Sequence, residues 1–140
     1  MACLIGVDYG INYSGLSCTD PNQIIASPLD TCETKKLIPF LKKYIKNQKV
    51  EAFVIGKPLQ KSGSPSDVEK HILMFINELK KSFPSYSIYR YDERYTSKIS
   101  SKIILESGIN KNKRKNKKLI DKISATLILQ SFLEYKSKNL

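Results

Sequence analysis

The stretch CLIGVD (residues 3–8) is an apolar run that ends on a carboxylate, and the predicted fold is built outward from it. Six residues are too few for a stable helix but suit a buried strand. The next residues, DYGIN (residues 8–12), predict a turn in which Gly10 can adopt a positive φ. GLSCT (residues 15–19) alternates weakly, which predicts a second strand antiparallel to the first.

The remaining elements follow from hydrophobic periodicity and from turn and cap residues. The tetrapeptide SDVE (residues 66–69) has the form of a capping box and predicts a helix N-terminus at Ser66. The predicted positions are a strand near Gln23–Ala26, a helix over about residues 34–47, a strand at residues 50–55, a helix from Ser66 to before Pro84, a strand at about residues 87–91, a helix from about Ser97 to Gly108, and a last helix over about residues 118–136.

This order of elements predicts an α/β fold with a mixed sheet flanked by helices. A three-stranded antiparallel meander comes first, and strands joined by helices, which must run parallel, come after it. The length suits a single domain over residues 1–140, and no internal repeat or long linker interrupts it.

Positive charge is the most informative bulk property. Lys and Arg number 24 against 13 acidic residues, giving a net charge of +11. The segment KNKRKNKK (residues 111–118) places six cations in eight residues and has no apolar side chain to bury. A lysine-rich composition throughout the chain would explain part of the excess, but the clustering favours a phosphate-binding segment and hence a polyanionic partner.

The cysteines and the N-terminus favour a cytoplasmic protein. The three cysteines include no CxxC pair, which indicates neither a disulfide framework nor a zinc site and fits a reducing compartment. No apolar stretch approaches the roughly 20 residues that span a bilayer, so no membrane association is expected. The N-terminus lacks the basic region of a signal peptide.

Three acidic residues are candidates for one metal site. Asp8 and Glu93 each follow a predicted strand, and ligands gather at the carboxyl ends of parallel strands. Alternation from Ile88 puts Asp92 and Glu93 on opposite faces, and Glu93 is preferred as the ligand. Asp121 shares one helical face with four residues of the last helix: Ala125, Ile128, Leu129 and Phe132.

Carboxylates alone can support phosphodiester hydrolysis. Mg²⁺ prefers oxygen ligands and commonly uses one or two carboxylates together with substrate phosphate oxygens. Two such ions about 4 Å apart can activate a water and stabilise the leaving oxygen. Alternatives stay open for each acid taken singly: Asp121 could simply favour a helix dipole, and acidic–acidic–basic triplets are common on solvated strand ends. The single histidine, His71, is expected at the surface.

Four segments carry a family resemblance: GVDYG (residues 6–10) with Gly15, VIGKPL (residues 54–59), DERYTS (residues 92–97), and the lysine-rich run leading to DKISA (residues 121–125) and ILQ (residues 128–130). In this order and spacing, over almost the whole chain, they resemble the YqgF family of Holliday-junction-resolvase-like proteins, also described as pre-16S rRNA nucleases. The resemblance implies a ribonuclease H-like fold and a Mg²⁺- or Mn²⁺-dependent nuclease that processes the 5′ end of pre-16S rRNA. It also implies that Asp8, Glu93 and Asp121 are the metal-binding catalytic acids.

The chain departs from the family pattern at two positions. Tyr13 stands where the family usually has Arg, and Lys57 where it usually has an apolar residue. Loss of the Arg removes a phosphate or structural contact, whereas Lys57 adds a cation at the edge of the site. The residues expected to bind nucleic acid are Lys57, Arg94, Lys111, Lys113, Arg114, Lys115, Lys117 and Lys118.

The substrate and partners stay open on the sequence. Structured RNA such as pre-rRNA, presented alone or in a pre-ribosomal particle, is the leading expectation, with branched DNA second. A junction resolvase should act as a symmetric dimer, but no segment announces an interface, so a monomer or weak homodimer is expected. A non-catalytic RNA-binding assembly factor is a further alternative. The DYG turn (residues 8–10) also occurs in actin-like ATPases and sugar kinases, but those need two such domains.

Overall fold

The computed structural model describes residues 2–60, 62–93 and 117–138. The strands are β1 (Cys3–Asp8), β2 (Tyr13–Thr19), β3 (Ala26–Glu33), β4 (Val50–Lys57) and β5 (Ser87–Asp92). The helices are α1 (Leu37–Asn47), preceded by a 3-10 turn at Thr34–Lys36, then α2 (Glu69–Ser82) and α3 (Lys117–Lys138). The predicted helix from Ser97 to Gly108 lies outside the described residues.

The sheet has the predicted mixed topology. Its strand order is β3-β2-β1-β4-β5, with β1–β2 and β2–β3 antiparallel and β1–β4 and β4–β5 parallel. Sequence-adjacent strands therefore form the meander, while the helical crossovers produce the parallel pairs. This arrangement places the C-terminal ends of β1, β4 and β5 at one edge of the sheet.

Two apolar layers cover the two faces of the sheet. Helices α1 and α2 cover one face, where the buried residues include Ile5, Val7, Phe53 and Ile55. Helix α3 covers the other face, where its Ile128, Leu129, Phe132 and Leu133 pack against Leu4, Ala52 and Val54. Successive residues of β1 and β4 thus serve opposite layers, which explains why these central strands are apolar almost throughout.

The third strand differs from its predicted position near Gln23–Ala26. It begins at Ala26 and continues to Glu33, while Gln23 lies in a turn with φ 57°. The Asp20 carboxylate accepts hydrogen bonds from the backbone N–H groups of Ile24 (2.8 Å) and Ile25 (2.7 Å), which holds these residues in the turn. The strand tolerates a proline at position 28 because it lies at the edge of the sheet.

The predicted capping box is wrong. Helix α2 begins at Glu69 rather than at Ser66, and no side chain caps it. The Glu69 carboxylate pairs with Arg90 of β5 instead of reaching back to Ser66. The helix ends at Ser82, before Pro84, as predicted. No helix within the described part of the chain has the length and apolar content needed to cross a membrane.

Candidate metal centre

Three carboxylates lie at the same edge of the sheet, each supplied by a different element. Asp8 is the last residue of β1, Glu93 directly follows β5, and Asp121 lies near the start of α3. Because β1, β4 and β5 are parallel, the chain leaves all three strands at this edge. This edge is where an α/β sheet typically binds ligands.

Asp8 belongs to the face of the sheet that α3 covers. A Cβ built on Gly6 would lie 2.9 Å from Leu129 Cβ and 3.1 Å from the carbonyl oxygen of Ala125, so Gly6 faces this helix at close range. Asp8 is two residues further along the same strand and therefore points to the same face. The absence of a side chain at Gly6 lets α3 approach β1 next to the carboxylate.

Asp121 is brought to Asp8 by the contact between α3 and β2. Asp8 pairs with Gly15 across the β1–β2 ladder. A Cβ on Gly15 would overlap the backbone carbonyl of Asp121, so the helix rests directly on the strand at this position. Ser17 Oγ donates a hydrogen bond of 2.8 Å to the carbonyl of Ala125, one turn further along α3. The first turns of α3 are thereby fixed beside Asp8.

Glu93 reaches the same face from the other side. Its Oε2 lies 3.0 Å from the position that a Cβ on Gly56 would occupy, and Ile128 Cδ1 of α3 lies 2.8 Å from that position. Gly56 follows Ile55, which pairs with Val7, the residue before Asp8. The Glu93 carboxylate therefore lies over the end of β4, between α3 and the sheet.

The electrostatics of Asp8 reflect this convergence. Its pKa rises to about 7, first because the carboxyl is buried and then because Glu93 and Asp121 carry like charges. Burial also raises the pKa of Glu93; the positive charge of Arg90 opposes this rise, and the negative charge of Asp92 adds to it. A bound cation would relieve both the repulsion and the cost of burying ionised carboxylates.

The donor set suits a hard divalent cation. Carboxylate oxygens are the ligands that Mg²⁺ and Mn²⁺ prefer. Within residues 2–60, 62–93 and 117–138, however, no three His, Cys, Asp or Glu side chains form a cluster tight enough to surround one ion. The acids share an edge and a face without closing into a cage, an arrangement that their mutual repulsion favours.

A hydrogen-bond network fixes the turn that follows Asp8. Thr34 Oγ1 donates to the carbonyl of Gly10 (2.6 Å), and the Gly10 N–H donates to Ser14 Oγ (3.2 Å). The two hydroxyls are 2.8 Å apart, and Ser14 is completely buried. Gly10 has no room for a side chain, because a Cβ would overlap the carbonyl of Tyr13. Sequence reasoning singled out Gly10 but missed both hydroxyls.

Arg90 and Glu69 were also missed. Arg90 Nη2 lies 2.7 Å from Glu69 Oε1, and the two side chains are only 22% and 9% exposed. One signal in the sequence could have revealed Arg90. By strand alternation it shares the inward face of Ile88, and a charged residue facing inward needs a partner.

The predicted cations are only partly placed. Lys57 ends β4 and pairs with Asp92, and by alternation it belongs to the face opposite Gly56 and Glu93. Lys117 and Lys118 open α3, and their side chains are outside the description. The remaining predicted cations lie outside the described residues: Arg94, Lys111, Lys113, Arg114 and Lys115. Tyr13, which departs from the family pattern, begins β2 and pairs with Glu33.

A groove of about 650 Å³ lies apart from the acids. Residues of α1 and α2 line it together with the turn after β1, and they include Tyr9, Phe75 and the half-buried His71. None of the three acids borders this groove. It lies with the core of the α1–α2 face, whereas the carboxylates lie on the α3 face.

Comparison with known sequences links the chain to one group of nucleases. The sequence model of the family described as "RuvX: Holliday junction resolvase" matches residues 2–135. A protein of Amoebophilus asiaticus named "Putative pre-16S rRNA nuclease" is 45% identical over 133 residues, which are 95% of this chain and 94% of that one. Proteins with the same name from Flavobacterium johnsoniae and Bacteroides fragilis are 45% and 41% identical over 136 residues, 97% of this chain and 99% of each relative.

Comparison with solved structures supports the fold. Thermus thermophilus RuvC in complex with a Holliday junction substrate superposes with a TM-score of 0.59 at 12% identity, covering 98% of each chain. A second Thermus thermophilus RuvC structure gives 0.57 at 11% identity, covering 96% of each. At this identity the likeness concerns the fold alone, and it confirms the predicted ribonuclease H-like architecture.

Proposed function

The chain belongs to the RuvX (YqgF) family, and on this premise we propose that it is a divalent-metal-dependent nuclease that processes the 5′ end of pre-16S rRNA. One observation carries the proposal. Three carboxylates from distant parts of the sequence, Asp8, Glu93 and Asp121, converge on one face at one sheet edge, where the last two raise the pKa of the first to about 7. Such mutual repulsion is tolerated at functional sites because a ligand relieves it.

In this proposal the three acids hold Mg²⁺ or Mn²⁺. When bound, such an ion supplies Lewis-acid stabilisation of a phosphoryl oxygen and lowers the pKa of a bound water. The chain's own contribution is to hold the ligands in place. Gly15 and Ser17 seat α3 and hence Asp121, Gly56 leaves room for the Glu93 carboxylate, and the ordered turn after β1 fixes Asp8.

The substrate assignment has two supports. The net charge of +11 suits a polyanion, and relatives covering nearly the whole chain carry the pre-16S rRNA nuclease name. We assign phosphate binding to Lys57 and Arg94 beside the acids and to the basic run at residues 111–118. Cytoplasmic location, a single domain, a monomeric or weakly dimeric state and presentation of the RNA within a pre-ribosomal particle complete the proposal.

Branched DNA is the second candidate substrate. The description of the matching family names Holliday junctions, and the superposed RuvC structure holds one. Either substrate would place phosphodiester oxygens against the same acids. A resolvase must cut two strands at matched positions, so this alternative requires a dimer on the junction, which sizing with and without junction DNA would detect.

The test is cleavage of a pre-16S rRNA 5′-end fragment and of a four-way DNA junction in parallel. Wild-type protein, Asp8→Asn and the control Glu51→Gln, which alters an exposed acid at the opposite end of β4, are each assayed with Mg²⁺, Mn²⁺ or EDTA. Metal-dependent RNA cleavage by wild type and Glu51→Gln, lost in Asp8→Asn, is the expected result. Junction cleavage alone would transfer the assignment to a resolvase. Tight RNA binding without cleavage would favour an assembly factor and contradict the nuclease.

A further inference from the structure

Arg90 and Glu69 form a bidentate ion pair on the face of the sheet that α2 covers. Arg90 Nη2 lies 2.7 Å from Glu69 Oε1, and Nη1 lies 3.1 Å from Oε2. The pair ties the middle of β5 to the first turn of α2. Both side chains are largely removed from solvent, so the geometry is held more firmly than in an exposed pair.

The same guanidinium also binds the end of β4. Arg90 Nε donates to the carbonyl of Ile55 at 3.3 Å, and Nη2 donates to the carbonyl of Gly56 at 3.1 Å. Arg90 lies beside Ile55 in the β4–β5 register, so its side chain crosses the neighbouring strand and binds its last turn of backbone. Four contacts from one planar group fix β4, β5 and α2 relative to each other.

Gly56 links this clamp to the candidate metal centre. Its carbonyl accepts from Arg90, while its Cα faces the Glu93 carboxylate, whose Oε2 is 3.0 Å from the position of an added Cβ. A small shift of the β4 terminus would therefore move the surface on which Glu93 rests. Arg90 is also only three residues before Glu93 on the same strand, so both ends of this short path are held.

We propose that Arg90, oriented by Glu69, is a positioning residue that sets the placement of the Glu93 carboxylate at the metal centre. The inference rests on the proposed function, since it concerns the same site. A charged pair in this place offers little net stability over an apolar pair of similar volume, because desolvation offsets the attraction. What the apolar pair could not supply is the set of donors to the carbonyls of residues 55 and 56.

The test separates position from folding by removing both charges together. The double variant Glu69→Met/Arg90→Met leaves no unpaired buried charge, so it should fold with a melting temperature near that of wild type. Mn²⁺ affinity, measured by electron paramagnetic resonance, should fall about tenfold or more, as for other residues that orient metal ligands. The kcat of cleavage should fall with it, while KM for RNA stays within about twofold.

A conservative variant and a control complete the design. Arg90→Lys keeps the charge opposite Glu69 but cannot donate to two carbonyls and two carboxylate oxygens at once, so its Mn²⁺ affinity should fall between those of wild type and the double variant. Glu51→Gln should bind Mn²⁺ as wild type does. Wild-type affinity and kcat in both the double variant and Arg90→Lys would overturn the inference. Should the double variant not fold, Arg90→Lys decides alone.

The same experiment distinguishes this inference from the nuclease proposal. If wild-type protein binds no Mn²⁺ and cleaves nothing, the proposed function fails, and the positioning role falls with it. If wild-type protein binds and cleaves while the clamp variants match it, only the positioning role of Arg90 fails.

Discussion

The backbone carbonyl of Asp121 lies against the Cα of Gly15, closer than a methyl group on that glycine would permit. This contact joins residues 106 positions apart and sets how closely α3 approaches the sheet beside Asp8. The position of one candidate ligand is therefore determined by a glycine on another element. The contact provides a direct test of how the site is assembled.

Gly15→Ala should displace the start of α3. The new Cβ would overlap the Asp121 carbonyl and lie 2.9 Å from the Lys122 nitrogen, so the helix must move. Overpacking of this kind should lower the free energy of unfolding by roughly 1–3 kcal/mol. Urea unfolding measures the loss, and calorimetric titration with Mn²⁺ should show weaker binding because the Asp121 carboxylate moves away.

Ser17→Ala is the matched control for Gly15→Ala. It removes the hydrogen bond to the Ala125 carbonyl without adding bulk. It should cost about 1 kcal/mol of stability yet leave Mn²⁺ binding unchanged. Wild-type Mn²⁺ affinity in Gly15→Ala would contradict the assignment of Asp121 to the site.

Asp8→Asn should stabilise the metal-free protein at neutral and alkaline pH. Both folded and unfolded chains hold the Asp8 proton well below pH 3.8, so there the carboxyl has no effect. Between the ordinary value of 3.8 and about 7 the unfolded chain ionises first, and stability falls as the pH rises. Above about 7 the cost is complete, and for a shift of about three pKa units it is at most about 4 kcal/mol.

The measurement is urea unfolding in EDTA at pH 4.5 and pH 8. The Asn variant should exceed wild type in free energy of unfolding by several times more at pH 8 than at pH 4.5. Asp67→Asn, which alters an exposed carboxylate, should change little at either pH. An equal gain from Asp8→Asn at both values would mean that Asp8 is not held in a buried, like-charged setting.

Local patterns in the sequence predicted much of the fold. The apolar run of β1 and the 3.6-residue period of α3 depend on neighbours a few positions away, and both elements lie where they were predicted. The edge of the sheet at which Asp8 and Glu93 would lie followed from the strand order alone. The family resemblance is confirmed by the sequence comparisons.

The errors came from side chains with distant or competing partners. The start of β3 was misplaced because the Asp20 carboxylate, not hydrophobic alternation, decides where the turn ends. The capping box failed because Glu69 pairs with Arg90, 21 residues away. The close approach of α3 at Gly15 is equally invisible in the sequence, since nothing local distinguishes a glycine in a strand from one beneath a helix.

Mn²⁺ binding should release about one proton below pH 7. Asp8 is largely protonated there and must ionise before it can serve as a ligand, so the affinity should fall about tenfold for each pH unit below 7. Isothermal titration at pH 6 in two buffers with different ionisation enthalpies counts the proton. Asp8→Asn should bind more weakly and lose most of the pH dependence. A flat affinity between pH 5.5 and 7.5 in wild type would exclude Asp8 as a ligand.

Binding of RNA should depend steeply on salt because of the basic run at residues 111–118. If this run makes about four phosphate contacts, log K should fall with log salt at a slope near −3 to −4, since each contact releases close to one counterion. Neutralising three of its cations in Lys113→Gln/Arg114→Gln/Lys115→Gln should reduce the slope to about −1. Filter binding at several salt concentrations, with EDTA to prevent cleavage, measures it.

The control for the basic run has the same change in charge at another place. Lys42→Gln/Lys43→Gln/Lys46→Gln removes three exposed cations from α1, which packs on the face opposite the acids. This variant should keep a slope near that of wild type, because charges distant from the bound phosphates act only through a screened field. Equal reductions by both triple variants would show that RNA responds to the overall charge of +11 rather than to residues 111–118.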